Sequence, residues 1–289
     1  MEHDWHKNGP FIIGGVGGSG TRLVAEICQS CGIFLGSDLN ESLDFLPFTL
    51  LYRRYGWFSK NKDHPGKMIP GLKILEKVIK DQPSFSPREI HFILSASWDT
   101  IRNYGRDWEW IKDRLQRMFR GSEVGSSMKG WGWKEPNSHL LLGQYAEIFP
   151  DFKFIHTIRH GLDMAFSANQ KQMKNWWELY FPKGDDDRTY SPQKSLKYWV
   201  KANQTISNTA KKLKPDQYLL LNFDRLCEDP EEIAPELIRF LGLELTDDQY
   251  KMVIDLPRSP SSIGRYKEHD LSGFDPGDLE SVKQFGFNI

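Results

Sequence analysis

The sequence predicts an α/β fold: a parallel β-sheet flanked by helices, with a phosphate-binding loop after its first strand and a mostly helical insertion. Three observations carry this. Apolar runs of β type recur at Phe11 to Ile13, Phe152 to Ile158 and Tyr218 to Phe223, each followed by polar or turn residues and then a helical pattern, the alternation of a parallel sheet. The first run leads directly into F-I-I-G-G-V-G-G-S-G-T-R (Phe11 to Arg22) and an apolar helix starting near Thr21. The 289 residues are enough to bury a sizeable core, which reads as one domain.

Taken in order, the glycine-rich stretch comes first. Glycines let backbone N–H groups converge on an anion without Cβ obstruction, and the following helix aims its positive dipole end at the same point. Leu23, Val24, Ile27, Cys28 and Cys31 then make one helical apolar face that Gly32 ends. Cys28 and Cys31 have C-x-x-C spacing, but only Cys227 remains to join them, so they read as small hydrophobes and no metal is expected. About a hundred residues separate the first strand from Trp131, far more than an ordinary crossover needs. Residues 45–130 are therefore expected to form a helical insertion that caps an acceptor site. Within it, Ser86-Pro-Arg-Glu89 is a capping box with Pro at the first helical position. Lys171 to Tyr190, with Trp176-Trp177 and the acidic run Asp185 to Asp187, reads as an irregular, mobile lid. Ser191-Pro192 opens a long amphipathic helix reaching Leu213.

Charge excludes several functions. Lys and Arg number 38 against 39 Asp and Glu, so no global field favours nucleic acid or an anionic membrane, and any anion site must be local. Met1-Glu-His-Asp-Trp-His-Lys is unlike a signal peptide and no apolar run approaches membrane-spanning length, so a cytoplasmic protein is expected.

The loop alone does not name its ligand. Gly15-x-Gly17-x-x-Gly20 is a dinucleotide fingerprint, and the same residues outline a P-loop in which Thr21 replaces the lysine. A second anion signal is Arg159 at the end of the strand Phe152 to Ile158, with Ser167 in the helix after it. Ligands of open α/β sheets sit beyond the carboxyl ends of the strands, so this pair is placed to grip a phosphate, unless Arg159 simply pairs with Asp163. A third element is small and cationic, Ser262-Ile-Gly-Arg-Tyr-Lys267.

In this order the motifs resemble the sulfotransferases that use 3'-phosphoadenosine-5'-phosphosulfate (PAPS), over most of the chain. Gly17-Gly18-Ser19-Gly20-Thr21-Arg22 is similar to that family's loop for the 5'-phosphosulfate, and Arg159 with Ser167 to its 3'-phosphate motif. Leu220 to Pro230, followed by a helix ending Phe240-Leu-Gly242, resembles the family's late strand and helix, and Gly264-Arg265 its C-terminal 3'-phosphate contact. Gly130-Trp-Gly-Trp-Lys-Glu-Pro136 resembles a segment of the bacterial and carbohydrate-acting branches. Many members carry a cation where this chain has Gly18. With that charge missing, Lys134, assisted by Arg22, is expected to face the bridging oxygen.

The resemblance implies transfer of a sulfuryl group to an acceptor hydroxyl of a carbohydrate or other alcohol, with PAPS as co-substrate and no metal. Such transfer resembles phosphoryl transfer, in which alignment and charge stabilisation supply most of the catalysis. The acceptor hydroxyl needs a base. Asp38, Glu41 and Asp44 follow the first helix where relatives recruit a carboxylate; Glu41 is the choice, with His139 as runner-up. Trp57, Trp98, Trp108, Trp110, Trp176 and Trp177 are candidates for stacking on an acceptor. Rival readings are a P-loop kinase or NTPase, which lacks the Gly-Lys-Ser/Thr ending, an NAD(P)-binding oxidoreductase with Asp38 on the ribose, and a nucleotide-binding protein without turnover.

Overall fold

The computed structural model describes residues 5–121, 124, 127–181 and 189–289; the acidic run Asp185 to Asp187 lies outside them. Five strands, β1 (Phe11–Gly14), β2 (Ile33–Phe34), β3 (Gly130–Lys134), β4 (Lys153–Ile158) and β5 (Tyr218–Asn222), form a sheet of order β2-β3-β1-β4-β5. Every pairing is parallel, with Ile12 opposite Trp133 and Phe154, and Phe154 opposite Tyr218. The three strands read from sequence are β1, β4 and β5. The strand β3 gives no strand signal in the sequence because Gly-Trp-Gly-Trp-Lys has no β-branched residue, two glycines that strands disfavour and no apolar/polar alternation, although all five residues are buried.

Helices fill both faces. They are α1 (Thr21–Ser30), α2 (Leu46–Tyr52), α3 (Tyr55–Asn61), α4 (Pro65–Ile79), α5 (Pro87–Tyr104), α6 (Trp108–Arg120), α7 (Leu142–Ile148), α8 (Gly161–Ala165), α9 (Lys171–Tyr180), α10 (Pro192–Ala210), α11 (Phe223–Glu228), α12 (Pro230–Leu241), α13 (Asp247–Asp255) and α14 (Pro276–Gln284). Alternation along β1 separates two cores. Phe11 and Ile13 pack with Val24, Ile27, Cys28 and Leu237 on one face. On the other face, Ile12 joins Trp133, Phe154, Leu72, Tyr145 and Trp199. Cys28 and Cys31 are fully buried in the first cluster, and that burial pushes both thiols up, Cys31 to about 11. No helix among the described residues is long and apolar enough to cross a membrane.

Local signals hold where they are strongest. The Ser86 hydroxyl accepts from Glu89 N (3.4 Å) while Ser86 N donates to Glu89 Oε2 (2.7 Å), the reciprocal box that starts α5. Ser191 caps α10 through Lys194 N (3.2 Å). Helices α2 to α6 occupy the insertion between β2 and β3. Two local expectations change. Residues 171–180 form the helix α9, not an irregular stretch, because Met173, Trp176 and Trp177 align on one side and bury almost completely. The helix carrying Arg159's successor residues is short: α8 ends at Ala165, so Ser167 lies just beyond it.

Candidate active site: an anion cradle and an adjoining polar cleft

The strand order places the chain's change of direction between β1 and β4, with β2 and β3 on one side of β1 and β4 and β5 on the other. A crevice opens at the carboxyl ends of strands at such a point. The glycine-rich loop leaves β1 there, and Arg159 follows β4 there.

The loop is held tightly. Gly15 N donates to Pro136 O (3.0 Å) and Ser19 N to Val16 O (3.0 Å). At Gly20, which precedes α1, φ is +88° and a Cβ would sit 1.9 Å from the Phe223 ring, so only glycine fits this turn. At Gly15, a Cβ would meet Thr157 O at 2.3 Å. Ser19 and Thr21 are buried, and the Ser19 hydroxyl has no hydrogen-bond partner among the described residues. A buried polar atom of that kind, beside converging N–H groups, suits an anion-binding turn.

Phe223 links the loop to the second element, since the Arg159 guanidinium lies 5.3 Å from its ring centroid. Arg159 Nη2 donates to Ser262 Oγ (2.7 Å), and its Nε is 3.6 Å from Asp224 Oδ1. Asp224 is thus the carboxylate in salt-bridge reach of Arg159, while Asp163, lining the same cavity, acts on its charge from further off. Burial pushes Asp224 up to about 6 despite Arg159 and the hydrogen bond from His160 N (2.7 Å). Burial likewise lowers Arg159 from its usual range, with Arg265 nearby adding to the effect and Asp224 opposing it. Asp163 does a different job: it accepts from Gly264 N (2.8 Å) and Tyr266 N (3.2 Å), tying the C-terminal segment to α8. Gly264 turns with φ +79° ahead of Arg265, whose Nε donates to Ser262 O (3.3 Å).

These elements meet. Gly17, Gly18, Arg159, Ser167 and Arg265 line one cavity, together with Gln172. The cavity holds about 30 Å³, because Gln172 of α9 fills the cradle: its Oε1 accepts from Gly17 N at 2.5 Å and its Nε2 donates to Asn137 Oδ1 at 2.8 Å. Gln172 gave no sequence signal, because nothing local to α9 reveals that it reaches a loop more than a hundred residues earlier.

Gly17 and Gln172 also belong to a second, larger cleft of about 370 Å³, walled by Asp44, Arg53, Arg106, Glu135, Asn175 and Trp176. Of the tryptophans singled out, Trp176 reaches this cleft and Trp110 lines a neighbouring one with Arg53 and Arg106, while Trp98 and Trp108 are exposed. Lys134 is buried behind the wall, its ammonium bound to Asp44 Oδ1 (2.5 Å) and Ser42 O (2.8 Å). Arg22 is exposed and lies 3.7 Å from Glu26 on the same helix. Glu41 is exposed on the Asn40 turn and lines neither cleft. Asp38 is buried against Arg114 Nε (2.6 Å) of α6, with Arg117 Nε at 3.7 Å; burial still raises it to about 6. Its carboxylate is thereby committed to the insertion. His139, whose Nδ1 lies 2.8 Å from Pro136 O, is lowered to about 4 by burial. It faces another pocket, with Tyr180 and Phe58.

Glu135 is the residue the motif reading passed over, although it stands inside Trp-Lys-Glu-Pro. It is 1 % exposed, its two oxygens accepting from Asn137 N (2.6 Å) and Asn137 Nδ2 (2.8 Å), and burial pushes it up to about 7 against the opposing charge of Arg53.

Comparison with known proteins agrees with this architecture. The structure is similar to the sulfotransferase domain of the Synechococcus PCC 7002 olefin synthase (15 % identity, TM-score 0.50, covering 100 % of this chain and 98 % of that one). It is equally similar to the sulfotransferase domain of the curacin biosynthetic pathway (15 % identity, TM-score 0.52, 97 % and 98 % covered). At such identity the likeness is one of fold. No curated protein sequence matches the chain. The model of the sulfotransferase family matches residues 10–248, from the strand before the glycine-rich loop to the start of α13, and the chain belongs to the sulfotransferase family.

Proposed function

We propose that this enzyme transfers the sulfuryl group of PAPS to a hydroxyl of a carbohydrate or other alcohol. The observation that carries this reading is the convergence of Gly17, Gly18, Arg159, Ser167 and Arg265 on one cavity at the ends of β1 and β4. A nucleotide with phosphates at both 3' and 5' positions needs two separate anion sites, and the loop N–H groups with Ser19 and Thr21 supply one, Arg159, Ser167 and Arg265 the other. The 370 Å³ cleft that shares Gly17 with this cavity is the place for the acceptor, and its polar wall suits a hydroxyl-rich molecule. Helix α9, through Lys171, Asn175 and Trp176, with Arg53 after α2 and Arg106 after α5, then forms its cap.

Transfer forms a bond from the acceptor oxygen to sulfur while the bond from sulfur to the bridging oxygen breaks. Positive charge near that bridging oxygen lowers the barrier. Lys134, held at the edge of the cleft by Asp44 and Ser42, is the cation proposed for this, with Arg22 at the exposed start of α1 assisting. Calorimetric titration with adenosine 3',5'-bisphosphate, ATP and NAD in parallel tests the reading. Tight binding of the bisphosphate and weak binding of the other two are expected. Equal affinity for ATP, or preference for NAD, sinks it.

A further inference from the structure

A buried carboxylate is costly unless it is paired with a cation or used. Among the described residues Glu135 has no ion pair within salt-bridge distance, and its oxygens rest on the two neutral N–H groups of Asn137. It follows Lys134 at the end of β3, where the backbone turns: Glu135 N donates to Ile13 O (3.2 Å) and Gly15 N to Pro136 O (3.0 Å). The residue is thereby welded to the glycine-rich loop and forms part of the wall of the cleft that also contains Gly17.

Resting on the sulfuryl-transfer reading above, we propose that Glu135 is the catalytic base that takes the proton of the acceptor hydroxyl. The acceptor O–H bond breaks, its proton passes to a Glu135 oxygen, and the oxygen lone pair forms the new bond to sulfur. The bond from sulfur to the donor's bridging oxygen breaks, and that electron pair leaves with adenosine 3',5'-bisphosphate. Glu135 returns the proton to water after the product departs.

The other acids are less free to do this. Asp38 is held by Arg114, and Glu41 lies outside the cleft. Asp44 lines the cleft, yet one oxygen is bound by Lys134 and the other accepts from Asn40 Nδ2 (3.0 Å). The charged and titratable groups around Glu135 are Arg53 after α2, Asp44 before it, and Tyr145 of α7. Burial with these neighbours holds the carboxyl at about 7, where a base is half available at neutral pH and still strong enough to take a proton in the transition state.

The test compares wild type, Glu135→Gln and Glu135→Asp with radiolabelled PAPS, using a panel of mono- and disaccharides and simple alcohols, and water alone as a baseline acceptor. Bisphosphate affinity by calorimetry monitors the folded donor site. Expected for wild type is a rise in rate through pH 7, and for Glu135→Gln a loss of that rise, a loss of kcat of about 10² to 10⁴, an unchanged KM for PAPS and bisphosphate affinity within about threefold. Glu135→Asp recovers part of the rate. Turnover of Glu135→Gln within about threefold of wild type overturns the assignment, as does a parallel loss of rate and bisphosphate binding, which marks a structural role. A wild-type protein that binds the bisphosphate but turns over no acceptor also overturns it while leaving the donor site standing. Failure of the wild type to bind the bisphosphate removes the sulfuryl-transfer reading itself.

Discussion

Replacing Arg159 with alanine is expected to weaken adenosine 3',5'-bisphosphate binding by about 100-fold while hardly affecting adenosine 5'-monophosphate. The guanidinium is 12 % exposed, and its planar fork already spans Ser262 Oγ at 2.7 Å and Asp224. A charge-assisted hydrogen bond contributes about 1.5–3 kcal/mol net. Part of that is already spent on Ser262, so a loss of about 3 kcal/mol, or about two decades in Kd, is the sum for a phosphate gripped by the fork. The monophosphate lacks the 3' group and should lose no more than about threefold, because its 5' phosphate depends on the glycine loop and not on Arg159. Calorimetry of both ligands on both proteins gives a coupling energy between Arg159 and the 3'-phosphate that cancels general damage. The variant should also be less stable, and more so at higher pH. Asp224, already raised to about 6 with Arg159 beside it, loses its cation and rises further; a folded-state value above the unfolded one means stability present at low pH and lost as pH rises through it. Equal loss of affinity for both ligands would refute the assignment of Arg159 to the 3' site.

Gln172→Ala should tighten bisphosphate binding by about two- to tenfold, because an amide oxygen that competes for Gly17 N is removed; weaker binding in calorimetry would show that Gln172 contacts the ligand itself. Arg114→Ala leaves buried Asp38 with only the more distant and exposed Arg117 and should cost about 3 kcal/mol in urea denaturation, with bisphosphate affinity unchanged; a selective loss of nucleotide binding would instead put Asp38 at the ligand. His156 is buried between Tyr218 OH (2.7 Å) and Asn203 Oδ1 (2.9 Å), and burial lowers it to about 3. The unfolded chain takes up its proton near 6.5, so the stability His156 contributes is complete above that pH and is lost as pH falls toward 3. Between pH 7 and 4.5 the advantage of wild type over His156→Gln should shrink by about 2.5 kcal/mol in denaturation curves; an advantage that stays constant would contradict this.

The sequence by itself determined what depends on neighbours along the chain. The apolar runs of β1, β4 and β5, the glycines that only a tight turn at Gly20 requires, the capping box of Ser86 and Glu89, and the placement of Arg159 after a strand are local patterns, and local patterns survive into the fold. The resemblance of these motifs, taken in order, to those of sulfotransferases was enough to name the family. Tertiary structure decided which charges meet. Arg159 faces Asp224 across the end of β5 rather than Asp163 four residues on, and Asp38 is claimed by a helix some eighty residues later. Lys134 turns to Asp44, Gln172 reaches the loop from α9, and Glu41 stays in solvent while Glu135, its neighbour in no sequence sense, is buried at the cleft. Burial is what separates these acids, since desolvation and the nearest countercharge set how strongly a carboxylate holds its proton, and neither can be read until the chain has closed around it.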